Sequence, residues 1–157
     1  MGLEKKPQGL MNSKELTLLS HVQTFYTSHL EYLEFVRNIA SGRSHTISLR
    51  ILDWLVTSYA KRHCTVIIQG NDVIHLHSAY KNFLASHSKK LFDAFRRRHR
   101  VHVDMFGHVT INPPEDTEPY FVSTIAQLVF FHWAHTQGII EYAEAHVHDI
   151  EDDLRSY

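Results

Sequence analysis

The stretch QLVFFHWAH, residues 127–135, constrains how this chain can fold more than any other. Thr124 and Gln127 stand three apart just ahead of it, in the spacing of a capping box. The helix they start is apolar on almost every side, and such a helix belongs buried at the centre of a core. Gly138 is its expected stop. A hydrophobic content of 43%, with nine Phe, seven Tyr and two Trp, is enough to surround it.

The rest of the chain reads as amphipathic elements. Residues 1–11, with Gly2, Pro7 and Gly9 and no periodicity, are expected to form a flexible leader, leaving 12–157 as a single helical domain. Asn12 and Ser13 offer a cap, with Glu15 in capping-box spacing after Asn12. Leu18, Val22, Phe25, Tyr26, His29, Leu33 and Val36 then predict one long helix over 14–40, ended by Ser41-Gly42. A second helix, capped by Ser44, carries the stripe Ile47, Ile51, Leu52, Leu55, Val56 and Tyr59. TVIIQGNDVIHL predicts a hairpin about Gly-Asn-Asp. A third helix over 78–98 is expected to bury Tyr80, Phe83, Leu84, Leu91 and Phe95. VHVDMFGHVTI predicts a second hairpin, NPPEDTEP a loop, and Ile139, Ala143, Val147, Ile150 and Leu154 a last helix with an acidic face. The expected fold is mainly α: a compact helical domain of about five helices with one or two small β-hairpins.

The net charge of −1 conceals a strong asymmetry. Residues 1–100 carry fifteen Lys/Arg against seven Asp/Glu, and residues 101–157 one Arg against ten acids. Such a division points either to a polyanionic partner or to two halves that neutralise each other across the fold. The basic half culminates in HSKKLFDAFRRRHR, residues 87–100, with six permanent cations among Leu91, Phe92 and Phe95. A helix dipole favours cations near its C-terminus by only ~0.3–1 kcal/mol each, fading within a turn, so it does not account for six. Arginine grips phosphate or carboxylate in a bidentate fork. A basic helix end followed by a two-stranded wing can straddle a nucleic-acid backbone. The expected contacts are Lys81, Lys89, Lys90, Arg96, Arg97, Arg98 and Arg100, with phosphate-dominated, salt-sensitive binding. The internal alternative pairs these arginines with Glu141, Glu144, Asp149, Glu151, Asp152 and Asp153, within the molecule or between subunits.

Fourteen histidines raise the question of a metal. His75 and His77, His132 and His135, and His146 and His148 are close pairs, but no Cys or Glu stands beside them at zinc-like spacing and there is no HExxH. No metal or cofactor is expected. Cys64 next to His63 is adjacency without aim, and no nucleophile elbow or phosphate-cradling loop is present, so the expected protein is not an enzyme. Asp93 is expected to pair with Arg96 or Arg97 at helical spacing. The lone Cys64 excludes an internal disulfide and fits a reducing compartment. No apolar run approaches the ~20 residues of a membrane span, the N-terminus lacks a secretory h-region, and Lys6 stands where a myristoylation signal needs Ser or Thr.

Three segments, SLRILDWLVTSYAKRH, YKNFLASHSKKLFDAFRRR and STIAQLVFFHWAHTQGIIEYAEAHVHDIEDDL, together resemble short proteins of nucleocytoplasmic large DNA viruses. The likeness covers roughly 44–154 in order, with Ala94 where that pattern has Pro, so that the third helix is expected to run on further here. The resemblance implies a viral protein of the host cytoplasm (the viral factory) or the virion. The resemblance implies no activity; from the basic stretch, the expected partner is nucleic acid, through a genome- or transcription-associated role. The alternative is an acidic protein surface, met as a virion or capsid adaptor or a homo-oligomer.

Overall fold

A computed structural model describes residues 13–44, 46–87, 100–111, 113–114 and 116–157. Its centre is α5, Ile125–Thr136. Thr124 caps it, its hydroxyl accepting from Gln127 N at 3.2 Å. Ile125, Ala126, Leu128, Val129, Phe130, Phe131 and Ala134 are buried, as a helix without a polar face requires. Gly138, at φ +73°, ends the segment in a left-handed turn that favours glycine.

Two helices lie where the sequence predicts one over 14–40: α1, Ser13–Ser28, and α2, Leu30–Ala40. The break is His29, at φ −133° and ψ 67°. Side chains near it compete for the carbonyls of the preceding turn. Thr27 Oγ1 donates to Gln23 O at 2.8 Å, Ser28 Oγ to Thr24 O at 2.9 Å, and His29 Nδ1 to Phe25 O at 2.9 Å. Val22, Tyr26, Leu33, Val36 and Ile39 still face the core, and the Tyr26 hydroxyl reaches Leu128 O at 3.1 Å.

Next comes one helical rod, α3, made of Leu49–Trp54, a π turn Leu55–Tyr59, and Ala60–His63. Its cap is Ser48, whose hydroxyl accepts from Ile51 N, and not Ser44. Ser44 instead closes the preceding turn, its N–H on Asn38 O at 3.1 Å. The predicted stripe from Ile47 to Tyr59 is buried. The first hairpin is as expected: β1, Val66–Gln69, pairs antiparallel with β2, Asp72–His75, across Gly70-Asn71.

Directly after β2, α4 spans Leu76–Ala85. A continuous helix over 78–98 is therefore corrected. The Ser86 hydroxyl and His87 Nδ1 both engage Phe83 O, at 2.8 and 2.7 Å, and close the helix. The second hairpin pairs β3, Arg100–Val103, with β4, Val109–Ile111. A third strand, β5, Phe121–Thr124, which the sequence did not announce, adds to the other side of β3 and makes it central. The last predicted helix is also two, α6, Ile139–Ala145, and α7, Val147–Arg155, separated at His146. The described residues thus form seven helices and two small antiparallel sheets. The fold is mainly α, with more helices than the five expected.

Candidate functional site

Of the predicted basic contacts, Lys89, Lys90, Arg96, Arg97 and Arg98 lie outside the described residues, as do Asp93, Leu91 and Phe95. Lys81 and Arg100 bracket them. Both are exposed. Lys81 sits on α4, which is fastened by Leu76 and Phe83. Phe83 stacks on Trp133 of α5 with ring centroids 4.6 Å apart. Arg100 opens β3, whose Val101 and Val103 are fully buried and which pairs on both sides. The described residues on either side of 88–99 therefore belong to anchored elements. Neither Lys81 nor Arg100 has a carboxylate partner among the described residues.

The acids of the C-terminal half behave differently from the internal network drawn from sequence. Asp153 of α7 is held by α3: it accepts from His63 Nε2 at 3.0 Å, from Trp54 Nε1 at 2.8 Å, and from the Arg62 guanidinium. These bonds, that from His63 first, hold its carboxyl below the usual range despite opposing desolvation. The Arg62 guanidinium also lies 4.1 Å from the Tyr157 ring centroid and 5.4 Å from that of Trp54. Sequence reading missed this arginine, because its partner lies 91 residues away and KRH at 61–63 reads as an ordinary basic helix end. Glu151 reaches its own helix neighbour Arg155 at 3.9 Å. Glu141, Glu144, Asp149 and Asp152 are exposed, without a cationic partner among the described residues.

The histidines serve as aromatic rings and helix terminators. His132 and His135 share a face of α5, as their spacing requires, but they stack instead of converging. The His132 ring centroid is 4.0 Å from that of Phe25, and the His135 centroid 4.0 Å from that of Tyr32. Burial first, then neighbouring imidazoles, pushes His135 down to about 4 and depresses His132. Both rings are neutral at pH 7. Among the described residues no group of three His, Cys, Asp or Glu side chains is placed to hold a metal. Cys64 is exposed and at φ +49°, while its neighbour His63 is engaged by Asp153 and by the Tyr59 ring at 4.2 Å. Among the described residues no helix is long and apolar enough to cross a membrane.

Known proteins place the chain without assigning it a reaction. It is 35% identical over 146 residues to the uncharacterised protein L507 of Acanthamoeba polyphaga mimivirus, covering 90% of this chain. The chain spans about half the length of that curated relative, 54% of it. No solved structure matches it. The resemblance to giant-virus proteins is thereby established, and this is a viral type of protein. A family model described as "Family of unknown function (DUF7197)" matches residues 2–157, and the chain belongs to that family.

Proposed function

We propose that the protein binds nucleic acid, or another polyanion, through the basic stretch from Lys81 to Arg100, and that it is not an enzyme. The observation that supports this reading is that Lys81 and Arg100, the two described cations of the stretch, are exposed and without a carboxylate partner among the described residues. Among the described acids of the acidic half, the one most withdrawn from water, Asp153, takes its cation, Arg62, from α3 instead. Consecutive arginines repel one another, and phosphate relieves that repulsion. A genome- or transcription-associated role in the host cytoplasm or virion follows from this reading. The test is electrophoretic mobility of an oligonucleotide duplex across a salt series. Retardation at low salt, abolished in the Arg96→Ala/Arg97→Ala/Arg98→Ala variant, is the expected result, and migration unchanged at every protein concentration contradicts it.

A second reading has its own support in Glu141, Glu144, Asp149 and Asp152, exposed and without a cationic partner among the described residues. In a virion adaptor these would meet the basic stretch of another copy. Sedimentation separates the two: concentration-dependent assembly lost in the same triple variant, with no duplex retardation, favours the adaptor.

A further inference from the structure

Imidazole rings from two elements meet in one aromatic stack where α1, α2 and α5 come together. Phe25 of α1 has the His132 centroid at 4.0 Å and the His29 centroid at 4.6 Å, both rings inclined to it by 22°. Tyr32 of α2 has His135 at 4.0 Å and 21°, and His29 at 5.6 Å and 12°. Phe35 adds an edge contact to His135 at 5.2 Å. His135 Nε2 is sealed from water and has no hydrogen-bond partner among the described residues.

A neutral imidazole suits this stack, because it packs as a flat ring. An imidazolium does not, since its Nε2–H would be a buried charged donor with no acceptor. The titratable groups facing the two α5 histidines are His21 from α1, His29 from the break between α1 and α2, and Glu31 from α2. Once charged, the histidines repel one another, and of these groups only the exposed Glu31 carries the opposite sign. Burial is the largest influence on both rings and favours the neutral form.

The two ends of α2 are held differently. Its start meets α5 through the rings of Tyr32 and Phe35 and the buried Leu33. Among the described residues no hydrogen bond joins α2 to α5, whereas α1 is pinned there by the Tyr26 hydroxyl on Leu128 O. The far end of α2 is tied down beside β5. Arg37 Nε donates to Tyr120 O at 3.3 Å, and the guanidinium lies 4.1 Å from the Tyr120 ring centroid.

We infer that the contact of α2 with α5 is an acid-operated joint: proton uptake at His135 and His132 swings the start of α2 off α5 about the break at His29, while its far end stays beside β5. The closed form excludes the proton, so it is fully favoured above pH 6.5, and opening grows as pH falls toward about 4. A displacement of His135 from 6.5 to about 4 corresponds to a few hundred-fold in the opening equilibrium, which its partial exposure reduces to ~10–100-fold.

The experiment measures how fast dithiodipyridine, which reacts with thiols in acid, modifies Leu33→Cys relative to the exposed Cys64 of the same chain. Leu33 is buried in the closed form. Its relative rate should rise about tenfold or more from pH 7.5 to 4.5. The rate for Val56→Cys, in the buried stripe of α3, should stay flat. His135→Phe should remove most of the rise at Leu33→Cys. Should Leu33→Cys not fold, Val36→Cys, a near-isosteric change at another buried position of α2, takes its place. A rise at Leu33→Cys and Val56→Cys together is general acid unfolding and overturns the joint. No rise at Leu33→Cys, or the same rise with His135→Phe, overturns it as well.

Discussion

At the scale of single residues, the histidines carry much of the explanation. Phe25 and His29, Tyr59 and His63, Phe83 and His87, and Tyr142 and His146 are each four apart at the end of a helix, with ring centroids 4.0–4.6 Å apart. In three of them the Nδ1–H donates to the carbonyl of that same aromatic residue, at 2.7–3.0 Å. An aromatic residue followed four later by histidine therefore acts here as a helix stop. It satisfies an orphan carbonyl where the dipole also favours a partial positive charge. Histidine abundance needs no metal to explain it. His135 makes a testable consequence of a different kind. Its folded value is depressed to about 4 from an ordinary 6.5, so the fold holds it neutral while the unfolded chain takes up a proton below 6.5. Its contribution to stability is full above pH 6.5, declines as pH falls toward 4 and is lost below. After allowance for its partial exposure the loss is on the order of 1–3 kcal/mol. Denaturant unfolding at pH 7.5 and 4.5 should show that decline, and His135→Phe should flatten it. An equal decline in the variant would refute the assignment.

At the scale of elements, two junctions position the rest. The tip of the β3–β4 hairpin sits on the end of α1. A Cβ added to Gly107, at φ +88°, would lie 2.8 Å from the backbone of Tyr26 and Thr27. Gly107→Ala is expected to cost about 1–3 kcal/mol, from strain and displacement together, read as a fall in the urea midpoint. A variant as stable as the parent would mean that the hairpin does not dock there. Thr124→Ala, which removes the cap of α5, is expected to cost about 1 kcal/mol in the same measurement. These elements differ in how visible they were. The central helix, both hairpins and the stripe of α3 follow from periodicity and turn chemistry, which are local. The breaks at His29 and His146 do not, because the apolar stripe continues across each and side chains bonding to the preceding turn decide. Strand β5 pairs with β3 some twenty residues earlier, a long-range choice that no local pattern announces.

At the scale of the whole molecule, charge is partitioned. Arg62 pairs with one acid of α7, Asp153, which His63 also hydrogen-bonds, while Lys81 and Arg100 stay open to solvent and α6 and α7 keep an exposed acidic surface. The cations were plain in the sequence. Which acid each would meet was not, because folding brings Asp153 to α3 across ninety residues. The most direct test of the polyanion claim is fluorescence anisotropy of a labelled oligonucleotide titrated with protein from 25 to 300 mM salt. Binding should weaken linearly in log-log form, each phosphate-bound cation contributing a slope of roughly 0.7–0.9. Replacing Arg96, Arg97 and Arg98 with Ala should lower the slope by about 2–3. No binding at the lowest salt, or a slope unchanged in the triple variant, would contradict it.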